Sequence, residues 1–313
     1  MKAIVLKAFG SVDNFVVEEL PQPTIQDHEV LVAVKAISIN PVDMKTRSGK
    51  ALAGKLKEEN PIILGWDISG VITEVGNDVK DFKVGDEIFG MVNFPGSGKA
   101  YAEYVAAPAA HLALKPANIL LEEAAAATLA ALTAWQAFNT YTKINRGDRI
   151  LIHAAAGGVG HFAVQIAKYF GAYVIGTASA ANKDFVLSLG ADEHFDYKSK
   201  PFEEAISDID IVLDTVGGNN IERSFEVVKK GGTVITLPSN TSEGIVEKAK
   251  AKGVTGFHFM VQSNGEDMKQ LADLLEKGII KPHVSAVYSL DEMGKAHQQI
   301  ETGSTRGKIV IKP

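Results

Sequence analysis

From Met1 to about Asn118 the apolar positions fall in short runs, broken every few residues by turn formers. Lys2–Lys7, Val30–Lys35, Ile68–Val75 and Gly85–Gly90 are rich in β-branched residues, with turns at Gly76-Asn77-Asp78 and Gly85-Asp86. Regularly spaced short strands with frequent turns predict a small barrel or sandwich-like β unit. After Asn118 the rhythm lengthens. Leu120–Tyr141 is alanine-rich and predicts a helix, Arg149–His153 a compact strand, and Val159–Phe170 a helix with apolar residues at helical spacing. A strand at Ala172–Thr177, a helix at Lys183–Leu189, and strands at Asp210–Asp214 and Gly232–Leu237 continue the alternation. Strands and helices alternating at this length imply parallel βαβ units in a doubly wound sheet. Met268–Lys277 predicts a last helix, and Gly307–Lys312 returns to strand texture.

Composition narrows the chemistry. A chain of 313 residues is long enough for about two domains. Its 32 basic against 38 acidic residues leave a net charge of −6, which argues against nucleic acid or an anionic membrane as partner. There is no cysteine, so disulfides, thiolate zinc sites, iron–sulfur clusters and thiol nucleophiles are excluded. The first ten residues hold too short an apolar run for a signal-peptide core. The longest apolar stretch, Ala124–Trp135, contains Thr128 and Thr133 and falls short of the roughly 20 residues of a membrane span. The expectation is a soluble, cytoplasmic protein.

The most informative stretch runs from Arg149 to Gly160, where a strand feeds directly into Ala155-x-Gly157-Gly158-Val159-Gly160 and a helix begins at once. This is the dinucleotide fingerprint in its required context. Gly157 lets the backbone approach a pyrophosphate, Gly160 lets the helix pack close to the sheet, and the helix N-terminus supplies N–H groups and partial positive charge. Ala155 stands where the fingerprint has its first glycine. An NAD site places Asp or Glu near the end of the second strand, to bind the ribose 2′-hydroxyl. No acid occurs between Asp148 and Asp184. Ser179 and Lys183 offer a hydroxyl and an ammonium to a 2′-phosphate, which favours NADP; the alternative for Lys183 is a solvated first-turn residue.

At this point the chain resembles the medium-chain dehydrogenase/reductases, and within them the zinc-free quinone oxidoreductases and their alkenal/enone reductase relatives. The segments that carry the resemblance are Asn40–Gly49, Pro61–Gly76, Lys83–Gly90, Ala154–Gly160 and Leu187–Asp192, and it covers essentially the whole length. It implies a Rossmann doubly wound parallel sheet, residues 121–261, inserted in a GroES-like β domain made of residues 1–120 plus 262–313. NADPH and substrate would lie between them. Zinc members of the superfamily place Cys where Asn40 stands and Gly-His-Glu where this chain has Gly65-Trp66-Asp67, and the cysteine-rich lobe after Gly90 is missing. No metal site is therefore expected. His153, His161 and His194 read as structural or surface residues.

Without a Lewis acid, reducing an activated C=C or a quinone needs less help than oxidising an alcohol. Charge then collects on the substrate oxygen, and hydrogen-bond donors suffice to hold it. The resemblance points to Asn40 and Lys45 as these donors. Many quinone reductases have Tyr where Lys45 falls, whereas alkenal/enone relatives have Lys, so α,β-unsaturated carbonyls join quinones as expected substrates. Asn40 also reads as a turn cap before Pro41, Lys45 as a solvated helix residue or a ribose contact, and Asp43 and Asp67 as groups that orient their neighbours. The resemblance further implies cofactor contacts at Thr133, Tyr197, Val216, Pro238, Phe259 and Lys308, and a homodimer through an edge at Thr255–Val261. The competing readings are an enoyl-thioester reductase of the same superfamily and a non-enzymatic NADP-binding sensor or structural protein.

Overall fold

The computed structural model describes residues 1–237 and 244–313. The chain divides into two compact units, residues 1–132 with 261–313, and residues 133–260 between them.

In the first unit a seven-stranded sheet has the order Val284–Ser289, Lys308–Lys312, Glu29–Ile39, Asp67–Val75, Glu87–Met91, Leu112–Leu114, with Tyr104–Pro108 pairing Glu29–Ile39 off this path. All these pairings are antiparallel except that of Val284–Ser289 with Lys308–Lys312. Glu29–Ile39 is the spine. Almost every residue of it is buried, because it pairs Asp67–Val75 along one edge and divides the other between two strands. Tyr104–Pro108 takes Glu29–Ala33, and Lys308–Lys312 takes Ile37–Ile39. With Ile309 opposite Ile39, antiparallel register sets Lys308 opposite Asn40. A separate ribbon joins Lys2–Leu6 to Phe15–Glu19.

The second unit holds a six-stranded sheet in the order Glu193–Asp196, Tyr173–Ala178, Arg149–Ile152, Ile209–Asp214, Val228–Thr236, Thr255–His258. Every pairing is parallel. The strand order reverses between Arg149–Ile152 and Ile209–Asp214, and in open sheets of this kind ligands bind beyond the strand C-termini at that point. Leu151, Ile175, Val212 and Val234 share a core with Phe202, Ile221, Phe225 and Ile245, which explains the unbroken apolar runs of the central strands.

The expected helix at Leu120–Tyr141 is two helices, Leu121–Ala126 and Leu129–Asn139. The Thr128 hydroxyl donates to the Ala125 carbonyl, and a buried carboxylate oxygen of Asp67 accepts the Leu129 N–H at 3.0 Å. An acceptor more than sixty residues away restarts the helix, and no local pattern reports it. Val284–Ser289, with perfectly alternating burial, is a strand that the apolar runs did not mark. Among the described residues no helix is long and apolar enough to cross a membrane.

Candidate functional site

The loop expected to bind pyrophosphate joins the strand Arg149–Ile152 to the helix Gly158–Tyr169. Ala154 takes a φ of +50°, a left-handed conformation that costs a non-glycine residue about 1 kcal/mol. Hydrogen bonds hold it there: Gly157 N–H donates to the Ala154 carbonyl, and Ala155 N–H to that of Thr177. A Cβ on Gly160 would lie 2.2 Å from the Ala154 oxygen, so the helix can sit this close to the turn only with glycine there. Ala155 is accommodated by a second glycine. A Cβ on Gly176 would stand 2.8 Å from the Ala155 methyl, so the missing side chain on the neighbouring strand makes room for it. Gly157, Gly158, Val159 and Gly160 thus form a tight turn capped by a helix N-terminus, whose first N–H groups lack partners within the helix.

Beneath this loop His153 is buried, with Nδ1 3.1 Å from Thr177 Oγ1 and Nε2 3.2 Å from Ser224 Oγ. Ser224 donates its own hydrogen to the Asn220 carbonyl, which leaves its oxygen to accept from Nε2–H. Burial pushes the His153 pKa down to about 4, so the ring is neutral. It is a structural residue, as the sequence led us to expect.

The ends of neighbouring strands gather the groups expected around the adenosine. Asp196 is registered beside Ala178, so Ser179 and Tyr197 leave adjacent strands side by side. Asn182 Nδ2 donates to Ser179 Oγ at 3.3 Å, and Lys183 is exposed at the start of the helix Lys183–Ser188. Tyr197 is exposed, with the Lys198 ammonium 5.8 Å from its ring centroid. Asp214 accepts from the N–H groups of Val216 and Gly217 and from the Thr236 hydroxyl, which fixes the turn that presents exposed Val216. Thr133 is buried in the helix Leu129–Asn139. Phe259 is buried with its ring 4.5 Å from that of Tyr141. Pro238 lies outside the described residues.

In the first unit the expected donors lie at the two ends of the short helix Pro41–Arg47. Asn40 precedes it, only 2% exposed. Its backbone N–H donates to Asp43 Oδ2 and its Nδ2 to Asp67 Oδ2, both at 2.7 Å, and its Oδ1 accepts from Lys308 Nζ. The amide orientation is therefore set twice, since an ammonium can only donate and an ionised carboxylate can only accept. Asn40 stands at the N-cap position, but its side chain makes no cap hydrogen bond, being taken up by Asp67 and Lys308. Lys308, expected against the cofactor, is turned into its own unit: Nζ bonds the Ile39 carbonyl at 2.9 Å as well as Asn40 Oδ1, and lies 3.8 Å from Asp67. Lys45 is half-buried, and among the described residues its ammonium has no hydrogen-bond or ion-pair partner.

Around this centre is a polar cluster that sequence reasoning only partly found. Asp43 and Asp67 are fully buried. Burial, and then the charge of Asp67, raise the Asp43 pKa to about 7. Burial raises that of Asp67 against the opposing pull of Lys308 and Asn40. The Tyr101 hydroxyl, near Asp43, lies 2.9 Å from His297 Nε2. Burial, and then Arg47, lower the His297 pKa to about 3. Arg47 ion-pairs with Glu301 and donates to the Gly10 carbonyl. Asn40-Pro41-x-Asp43 is a readable capping signal, but nothing local announces Tyr101, His297 or Glu301 as its neighbours.

These side chains do not fit a zinc ion. The Trp66 indole N–H donates to the Gly96 carbonyl, Asn40 offers an amide already bonded to Lys308, and an ammonium stands beside Asp67. Among the described residues no three His, Cys, Asp or Glu side chains are grouped to hold a metal.

Comparison with known proteins gives the lineage. Residues 26–117 match the family described as alcohol dehydrogenase GroES-like domain, and residues 189–311 that described as zinc-binding dehydrogenase. The chain is similar to 2-methylene-furan-3-one reductase of Solanum lycopersicum, 36% identical, with 100% of this chain and 79% of that protein covered. The NADPH-dependent alkenal/one oxidoreductase of Arabidopsis thaliana is 35% identical, with 100% of this chain and 80% of that protein covered. Among solved structures, the quinone oxidoreductase of Coxiella burnetii superposes with a TM-score of 0.95 at 38% identity, covering 100% of this chain and 99% of that one. The chain belongs to the medium-chain dehydrogenase/reductase family, in the branch of quinone and alkenal/one oxidoreductases.

Proposed function

We propose that this protein is an NADPH-dependent reductase of quinones and α,β-unsaturated carbonyls that works without zinc. The observation that carries the reading is the strand–turn–helix at residues 149–169, whose glycine cradle fits a pyrophosphate and whose next strand is followed by Ser179 and, at the start of the next helix, Lys183, with no carboxylate between them. Gly157, Gly158, Val159 and Gly160 would hold the pyrophosphate, and Ser179, Lys183 and Tyr197 the adenosine 2′-phosphate. Val216, Thr133 and Phe259 would line the rest of the cofactor's path, with Pro238 as a further contact outside the described residues. When bound, NADPH supplies a hydride to an electron-poor carbon of the acceptor.

The chain's own contribution is to hold the oxygen on which charge then collects. Lys45 is the direct donor in this reading, because among the described residues its ammonium has no hydrogen-bond or ion-pair partner. Asn40, expected beside it as a second direct donor, is assigned a supporting part instead. Its carbonyl and one amide hydrogen are already bonded, and burial leaves it almost no open surface. Homodimerisation through the sheet-edge strand Thr255–His258 is part of the proposal and is tested by light scattering of the purified protein.

NADPH oxidation with 1,4-benzoquinone, 9,10-phenanthrenequinone, a short 2-alkenal and crotonyl-CoA tests the function. Turnover with the quinones or the alkenal supports it. A preference for crotonyl-CoA replaces it with an enoyl-thioester reductase, and no consumption with any acceptor refutes it.

A further inference from the structure

The helix that carries Lys45 has seven residues, under two turns, and helices this short do not hold themselves in water. Its place is set by tethers at both ends, and at each end one of them comes from the C-terminal segment some 250 residues away in sequence. At the N-terminal end Lys308 bonds the Ile39 carbonyl and the Asn40 side chain, while Asp67 takes the other end of the same amide. Asp43, on the first turn, accepts the Asn40 N–H and lies near Tyr101, which His297 holds from the helix Met293–Glu301. At the far end Arg47 is paired with Glu301, the last residue of that same helix. The register that puts Ile309 opposite Ile39 aims Lys308 at Asn40, so sheet pairing and the side-chain tether fix one position together.

We propose that Lys308 is a positioning residue for the reduction. Through Asn40 it fixes the start of the helix Pro41–Arg47 and so sets where the Lys45 ammonium stands. Its charge is spent inside the protein, on Asn40, Ile39 and Asp67, and not on cofactor or substrate. The inference rests on Lys45 being the group that meets the substrate oxygen.

A double-mutant cycle on the full chain tests it, using Lys308→Met, Lys45→Ala and the combination, with NADPH and a 2-alkenal. Misplacing a catalytic group by about 1 Å costs on the order of 100-fold, so Lys308→Met should lower kcat by about 10- to 100-fold. In the Lys45→Ala background the same change should cost less than about 2-fold, because residues that act as one unit are not additive. The KM for NADPH should stay within about 2-fold of its original value, as a group outside the cofactor site requires. Lys308→Arg, which keeps a cation, should recover most of the loss. If Lys308→Met fails to fold, the charge-neutral pair Lys308→Met with Asp67→Asn takes its place in the cycle.

Additive losses in the two backgrounds, or an unaltered kcat in Lys45→Ala, would overturn the assignment. So would a raised KM for NADPH at constant kcat, which would make Lys308 a cofactor contact. Amide hydrogen exchange gives a reading that needs no turnover. Lys308→Met should speed exchange over residues 41–48 by about 10-fold more than it speeds exchange over Asp67–Val75, which reports the global loss of stability. Uniform or unchanged exchange would overturn the tether even in a protein that reduced no acceptor, a result that would separately refute the proposed function.

Discussion

Replacing Gly160 with alanine probes the candidate cofactor site at a point where the structure supplies the magnitude. The added methyl would meet the Ala154 oxygen at 2.2 Å, the Ala155 Cα at 2.8 Å and the Ala154 carbonyl carbon at 2.9 Å. Carbon-to-oxygen contacts are tolerated from about 3.3 Å, so the helix must retreat from the turn by roughly 1 Å. All three obstacles are backbone, and the helix cannot slide freely, because Phe162, Ala163, Val164 and Ile166 are fully buried. Overpacking of this kind costs about 1–3 kcal/mol. Alanine's better helix propensity returns up to about 1 kcal/mol of that. The net loss of about 1–2 kcal/mol should lower Tm by several degrees, at roughly 2–4 °C per kcal/mol in a domain of 150–250 residues. The same retreat moves the helix N–H groups away from the pyrophosphate, and losing one such charge-assisted bond, worth about 1.5–3 kcal/mol, weakens NADPH binding about 10- to 100-fold. Gly157→Ala separates the two effects. Its methyl would lie 3.2 Å from the Ala154 oxygen and needs only a few tenths of an ångström, so Tm should hardly move while NADPH binding falls. Calorimetric titration with NADPH and thermal melts of both variants decide the matter. A Gly160→Ala protein that melts and binds NADPH like the parent would refute the packing and the cofactor assignment together.

Lys183→Glu should weaken NADPH by at least about 10-fold and leave NADH nearly unchanged, because a carboxylate repels the 2′-phosphate and spares the hydroxyl; equal losses for both cofactors would sink the phosphate assignment. Lys308→Met alone should destabilise the protein by about 3–5 kcal/mol in denaturant melts, since it strands the buried Asp67 carboxylate without its cation. His297 contributes a pH dependence of definite sign. Its folded pKa, about 3, lies below the ordinary 6.5, so an unfolded chain gains a proton that the folded one refuses as pH falls through that window. Its share of stability is complete above pH 6.5, and about 2 kcal/mol of it is lost between pH 7 and pH 5. The stability difference between the parent and His297→Gln should narrow by that amount over the same interval, and a constant difference would show that the ring titrates normally.

The alternation of strands and helices after residue 118, the glycine turn at 157–160 and the missing acid beyond Gly176 were legible in the chain, because each is a matter of neighbours. A turn that must approach a phosphate needs glycine at fixed spacing whatever surrounds it. Resemblance marked Asn40 and Lys45 as donors and, separately, Lys308 as a cofactor contact, yet not that Lys308 would meet Asn40. That depended on register: Ile309 opposite Ile39 brings Lys308 to Asn40 and spends its charge there, while Lys45 is left without a partner among the described residues. The interruption after Ala126 has the same origin, a carboxylate from Asp67 that reaches Leu129 only in the folded protein. Local spacing determined the glycine turn between the strand Arg149–Ile152 and the helix Gly158–Tyr169. That Lys308 is paired inside the protein was decided only by tertiary structure, because a buried charge is assigned by whatever partners the fold brings within a few ångströms of it.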